Sequence, residues 1–181
     1  MSRYAAFLRG INVGRHRRIG SSELRARFEE IGFRDVATFR TSGNVVFSAG
    51  REPLARMADR IQQGLTESLG EGVGIFLRTA AELRAIADHE PFARTLVEGS
   101  KGKLQVVMLP GKPRARAREE VLDMATDDDR LAFGDQELFW LPSGGISDSA
   151  LDFKPIEKLL GVTTTRTKGT VDQMAAKYFA G

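Results

Sequence analysis

The chain has 181 residues, of which 41% are hydrophobic and 28% charged, and its net charge is +3. This composition is typical of a soluble globular protein with one domain or two small ones. The absence of cysteine excludes disulfide bridges, thiolate metal sites and a cysteine nucleophile. The apolar runs are too short for a signal peptide or a membrane span. We therefore expect a cytoplasmic protein without a membrane partner, and we predict no oligomeric state.

The positive charge is concentrated at the start of the chain. Residues 1–51 contain ten arginines and four acidic residues. A basic segment of this kind favours an anionic partner, although a solvated Arg-rich surface would give the same count.

The first half of the chain predicts a strand, helix, strand, strand, helix, strand order. Short apolar runs predict strands at residues 4–8, 36–40, 44–48 and 73–77. The first helix is predicted to be capped by Ser21 or Ser22 and to end at Gly32. The second follows Pro53, with apolar residues at helical spacing over residues 54–69. This order is that of the split βαβ, or ferredoxin-like, unit.

The second half repeats the same order after a capping box, Thr79-x-x-Glu82, and a short helix. Strands are predicted at residues 104–109, 130–133, 137–141 and 162–166, and helices at 113–125, 156–160 and 171–178. We therefore predict an α+β fold of two tandem ferredoxin-like units with an extra C-terminal helix. The predicted bounds are 1–87 for the unit with the basic loop, 88–103 for a linker, and 104–181 for the second unit with the C-terminal helix.

Two polar segments, residues 9–20 and 40–44, follow the first two predicted strands. Because a right-handed crossover makes these strands point the same way, both segments are expected at one edge of the sheet, beside the first helix N-terminus. Glycines there allow close backbone approach, arginines supply charge, and Asn and Ser side chains supply hydrogen bonds. The candidate ligand-binding residues are Arg9, Gly10, Asn12, Gly14, Arg15, Arg40, Ser42, Gly43 and Asn44.

These residue types favour a site for a phosphorylated or otherwise anionic small molecule. An enzyme acting on a phosphate ester, with Arg9 and Arg40 stabilising charge, is an alternative. A nucleic-acid-binding module using residues 15–18 is a second alternative. It is less favoured than a small-molecule site because the aromatic RNA-recognition motif is absent. Whether the protein is an enzyme stays open, and no catalytic residue is predicted.

No cofactor and no metal site are predicted. The chain lacks a Walker A sequence and the dinucleotide-binding glycine pattern. His16 and His89 are the only histidines, and neither has a metal-ligand partner at helical spacing. Residues 127–129 are three adjacent aspartates, which are more typical of a solvated turn than of a cation site.

Three stretches resemble the bacterial domain-of-unknown-function 1697 family. They are Phe-Leu-Arg-Gly-Ile-Asn-Val-Gly at 7–14, Thr-Ser-Gly-Asn-Val-Val-Phe at 41–47 and Thr-Thr-Arg at 164–166. The resemblance implies two ferredoxin-like halves and no activity, since the family's role is unsettled. The family's C-terminal pattern is Thr-Arg-Asn-Trp-x-Thr; here Arg166 and Thr170 match, while the Asn and Trp are missing. On this resemblance Arg166 is added to the candidate site and is expected beside Arg9. Without the family's Asn and Trp, the pocket or the ligand is expected to differ.

Overall fold

The computed structural model describes residues 1–13, 18–40 and 43–181 of the chain. The chain divides into two compact units, one formed by Met1–Arg84 with Met174–Gly181 and the other by Ala85–Gln173. Each unit contains one four-stranded antiparallel sheet. No helix in the described ranges is long and apolar enough to cross a membrane.

The first unit has the strand order of a ferredoxin-like sheet. Its elements are β1 (Ser2–Arg9), α1 (Ser21–Ile31), β2 (Arg34–Thr38), β3 (Asn44–Ala49), α2 (Leu54–Leu69) and β4 (Gly74–Thr79). The strands lie in the order β2-β3-β1-β4. Because β3 is antiparallel to both β1 and β2, those two strands point the same way with β3 between them. The predicted fold of this unit is therefore confirmed.

The core of the first unit lies between one face of this sheet and the two helices. Alternate residues of β1, namely Tyr4, Ala6 and Leu8, contact the core because successive side chains point to opposite faces of a strand. The helices add stripes at helical spacing. These residues are Leu24 and Phe28 of α1 and Met57, Ile61, Leu65 and Leu69 of α2.

Both ends of α1 are set by glycines. Gly32 has φ +108° and donates its N–H to the Glu29 carbonyl at 3.0 Å, as predicted for a C-terminal cap. The predicted serine cap at the other end is wrong. The cap is Gly20, which is extended and accepts the Leu24 N–H at 2.9 Å, so Ser21 and Ser22 already belong to the helix.

The second unit repeats the topology of the first. The remaining elements are α3 (Ala80–Asp88), α4 (Arg94–Gly99), β5 (Gln105–Met108), α5 (Ala115–Leu122), β6 (Asp129–Phe133), β7 (Glu137–Pro142), a 3-10 helix (Ile146–Asp148), α6 (Phe153–Leu160), β8 (Thr164–Thr167) and α7 (Lys168–Tyr178). The strand order β6-β7-β5-β8 reproduces that of the first sheet, strand for strand. Two tandem ferredoxin-like units with an extra C-terminal helix, α7, are therefore present.

The two units of the structure differ from the predicted bounds of 1–87, 88–103 and 104–181. The stretch 88–103 contains α4 and belongs to the second unit, where the Ser100 hydroxyl donates to the Pro142 carbonyl at 2.6 Å. The last eight residues belong to the first unit, where Arg84 donates to the Phe179 carbonyl at 3.1 Å. A local sequence pattern does not indicate long-range hydrogen bonds of this kind, so these unit bounds could not be predicted from it.

Candidate functional site

The register of the first sheet brings four strand ends to one edge. Phe7 pairs with Asn44, and Arg9 pairs with Gly74, so the end of β1 meets the beginnings of β3 and β4. The Leu8 N–H donates to the Gly43 carbonyl at 2.9 Å. The loop after β1 and the turn between β2 and β3 therefore leave the sheet side by side. We call this region the basic edge, defined as residues 9–20 and 40–44.

Asn12 closes the loop after β1. Its φ is +55°, in the left-handed region that Asn tolerates better than most residues. Its side-chain oxygen accepts the Ile19 N–H at 2.9 Å, immediately before α1 begins. The exposed Asn12 thus holds the two ends of the loop together and fixes the approach to the helix N-terminus.

The loop and the turn pack directly on each other through Ile11 and Gly43. A Cβ atom added at Gly43 would lie 2.8 Å from the Ile11 Cδ1 atom and 3.1 Å from the Leu8 Cβ atom. Gly43 also has φ +72°. Only glycine satisfies both the close approach and this backbone conformation at low cost.

Asn44 braces the turn from inside. It is 1% exposed, and its side-chain amide donates to the Phe39 carbonyl at 3.0 Å. The Phe39 N–H donates back to the Asn44 carbonyl at 2.9 Å. The side-chain amide of Asn44 therefore holds the turn in place. Arg40, which has φ +59°, is exposed at the surface of the turn.

The charge of the basic edge comes from five arginines, and neither of its segments contains an acidic residue. Arg9, Arg18 and Arg40 are described and exposed. The predicted site residues Gly14, Arg15 and Ser42 lie outside the described residues. The described candidates Arg9, Gly10, Asn12, Arg40, Gly43 and Asn44 all lie at the edge that their sequence positions predict.

Arg166 lies on β8 in the second unit, opposite Val106. Its Nη1 atom donates to the Thr164 hydroxyl at 2.8 Å and to the Thr165 carbonyl at 2.9 Å. Burial lowers its pKa to about 10, so the side chain stays charged at neutral pH. Its expected place beside Arg9, which belongs to the first unit, stays a prediction.

Sequence reasoning missed an arginine in the first unit that corresponds to Arg166. Arg78 lies on β4, the fourth strand of its sheet, opposite Ala5. It is 2% exposed, and its Nη1 atom donates to the Leu77 carbonyl at 2.8 Å, which is the same bond to the preceding residue that Arg166 makes. Arg78 directly follows the apolar run of β4, which would have indicated that it belongs to the strand. The predicted strand ends at residue 77 and therefore excludes it.

The corresponding edge of the second unit has the same backbone framework with different charges. The Leu109 N–H donates to the Gln136 carbonyl at 3.0 Å, as Leu8 does to Gly43 in the first unit. Here, however, the turn carries an acid: Asp135 forms an ion pair with Lys112 at 3.1 Å. The second edge therefore contains its own counter-charge.

The acidic run at residues 127–129 is not simply a solvated turn. Asp129 is 1% exposed and accepts hydrogen bonds from the Trp140 indole at 2.9 Å and from the Ser149 hydroxyl at 2.6 Å. It is therefore a structural carboxylate that ties three segments together. Across residues 1–13, 18–40 and 43–181, no group of three or more His, Asp or Glu side chains could hold a metal ion.

Comparison with known proteins identifies the family of this chain. The family described as "Protein of unknown function (DUF1697)" matches residues 1–139. The chain belongs to this family. The match covers all strands of the first DUF1697 unit and ends within β7, so Arg166 and Thr170 lie beyond the matched residues.

A solved structure supports the fold of this DUF1697 chain over nearly its whole length. The conserved bacterial protein SP0830 from Streptococcus pneumoniae is similar with a TM-score of 0.75, at 20% sequence identity, over 97% of each chain. At that identity the likeness shows the fold alone. A search among curated proteins finds no match.

Proposed function

We propose that the basic edge binds a phosphorylated or otherwise anionic small molecule, in a protein of the cytoplasm. One observation carries the proposal: two segments with five arginines and no acidic residue are locked together at one edge by the contact of Ile11 with Gly43. The Asn12–Ile19 bond holds the same loop from its other side. An anion bound there would meet the exposed residues Arg9, Arg18 and Arg40 beside a backbone that these contacts hold in place, which lowers the entropic cost of binding.

The backbone of the edge supports the same conclusion. Gly10, Asn12, Arg40 and Gly43 all have positive φ, and two of them are not glycine. Such conformations cost free energy and persist where surrounding contacts enforce them, which is frequent at ligand sites. The α1 N-terminus, capped by Gly20 without a side-chain bond, adds backbone N–H groups that favour negative charge.

The second unit supplies a contrast within the same chain. Its corresponding edge keeps the backbone bond of Leu109 to Gln136 but pairs Lys112 with Asp135. An edge that contains its own carboxylate attracts an external anion less than one that contains only arginines. The proposal therefore assigns anion binding to the first unit.

Calorimetric titration with inorganic phosphate and with sugar phosphates tests the proposal. We expect the native chain to bind. Arg40→Ala should weaken the affinity about 10-fold, because one guanidinium–phosphate contact corresponds to about 1–2 kcal/mol. The control Lys112→Ala in the second unit should leave the affinity unchanged. Asn12→Asp keeps an acceptor for the Ile19 N–H but adds a negative charge, so we expect it to weaken binding without unfolding the loop. Absence of binding at millimolar phosphate, or equal losses in Arg40→Ala and Lys112→Ala, would refute the proposal.

Two further assays separate the two alternatives. Phosphate release from a phosphate ester, lost in Arg9→Ala, would make the protein an enzyme that uses this edge. Steeply salt-dependent binding of nucleic acid, without binding of small phosphates, would favour the nucleic-acid module instead.

A further inference from the structure

In the first unit, two aromatic rings contact three cationic side chains, and one of these rings, that of Phe39, lies beside the basic edge. Phe39 and Tyr178 meet edge to face, with ring centroids 6.3 Å apart. The Arg40 guanidinium lies 5.5 Å from the centre of the Phe39 ring. Arg3 and Lys177 lie 5.9 Å and 5.2 Å from the centre of the Tyr178 ring. We call these five residues of the first unit the aromatic–cation cluster.

The cluster is distinct from the hydrophobic core of its unit. The core rings are buried and pack on one another; the centroids of Phe33 and Phe47, for example, are 4.4 Å apart. Phe39 and Tyr178 are only partly buried and are not among the residues of that core. Part of each residue therefore reaches solvent, in contrast to the core rings.

The cluster is also physically joined to the basic edge. Phe39 follows β2 directly, and two hydrogen bonds with Asn44 fix its backbone. Arg40 belongs to both regions. A ligand held by the arginines of the basic edge therefore has an aromatic ring next to it.

We infer that the ligand is a nucleotide, whose phosphate binds the exposed Arg9 and Arg40 of the basic edge and whose base stacks on the Phe39 ring of the aromatic–cation cluster; this rests on the proposed function. Every nucleobase has a flat π face that can stack on an aromatic side chain. Aromatic rings alone would also suit a quaternary ammonium ligand, but three cations at these rings repel one. A planar group joined to a negative charge matches both halves of the surface.

Calorimetric titration with five probes tests the inference: inorganic phosphate, ribose 5-phosphate, adenosine, adenosine monophosphate and a short single-stranded oligonucleotide. We expect adenosine monophosphate to bind about 10-fold more tightly than ribose 5-phosphate, a difference of about 1.4 kcal/mol. Phe39→Leu is expected to remove this preference and to leave the affinity for inorganic phosphate unchanged. Phe39→Tyr, which keeps the ring, is expected to preserve the preference.

Phe133→Leu is the matched control, because Phe133 is also partly buried and lies under a guanidinium, that of Arg118 at 5.3 Å, but in the second unit. It is expected to leave the preference intact. If ribose 5-phosphate and adenosine monophosphate bind equally well, the inference is overturned while the anion site stands. If no phosphate-bearing probe binds, the proposed function itself fails. Much tighter binding of a short single-stranded oligonucleotide than of the mononucleotide would overturn the small-molecule ligand in favour of nucleic acid.

Discussion

Replacing Gly43 with alanine tests how the loop and the turn of the basic edge pack together. Its φ of +72° places an L-residue in the left-handed region, which costs about 1–2 kcal/mol. The new Cβ atom would also lie 3.1 Å from the Leu8 Cβ atom, which β1 holds in place, and 2.8 Å from the more adjustable Ile11 Cδ1 atom. Relieving this contact adds about 1 kcal/mol, so the free energy of unfolding in urea should fall by about 2–3 kcal/mol.

Two other glycines of the same unit separate these contributions. Gly32 has φ +108°, but its nearest atom would be Arg60 Nη2 at 3.6 Å, so Gly32→Ala should show only the backbone cost of about 1–2 kcal/mol. Gly50 has no atom within 4 Å of an added Cβ and no positive φ, and Gly50→Ala should stay within about 0.5 kcal/mol of the native chain. If Gly43→Ala destabilises the protein no more than Gly32→Ala, the close packing of Ile11 on Gly43 is refuted.

Two further predictions concern buried charges of the second unit. Trp140→Phe removes the indole donor to the buried Asp129 carboxylate and should lower the free energy of unfolding in urea by about 1–2 kcal/mol, whereas an unchanged value would mean that the bond contributes nothing. For Arg166, burial lowers the pKa from its higher ordinary value to about 10, so the unfolded chain binds more protons only between these two pKa values. Stability then rises with pH inside that window and does not depend on the titration of Arg166 below it. The difference in unfolding free energy between the native chain and Arg166→Gln should therefore be equal at about pH 6 and about pH 8, and unequal values would contradict this assignment.

The tandem fold is readable from the sequence because its elements follow local rules. Apolar runs and helical stripes recur in the same order in both halves, and a capping box marks the start of α3, where the Thr79 N–H donates to the Glu82 carboxylate at 2.8 Å. The predicted start of α7 at residue 171 is three residues late: the helix begins at Lys168, and Thr167 just before it accepts the Thr170 N–H at 3.2 Å. Two threonines three positions apart give the same local signal, and only the backbone geometry distinguishes them.

The basic edge was predictable because strand direction follows from the order of the elements. The roles of its individual residues were not predictable. Nothing local distinguishes Asn44, whose amide braces the turn, from Asn12, which closes the loop from its surface. The aromatic–cation cluster was also missed, because it joins Phe39 to Tyr178 at the far end of the chain. Pairings over such separations depend on tertiary packing, which a single sequence does not encode in any local period.

If the absence of an acidic residue from its own segments distinguishes the first edge from the second, then removing one carboxylate from the second edge should create a second anion site. Asp135→Asn leaves the turn and the Leu109–Gln136 bond in place but removes the partner of Lys112. Because both side chains of the pair are about two-thirds exposed (64% and 65%), the loss should change stability by less than about 0.5 kcal/mol. Equilibrium dialysis should then show a second, weaker phosphate site beside the first. An unchanged stoichiometry would mean that charge is not sufficient, and that the longer loop closed by Asn12 is what makes the first edge able to bind.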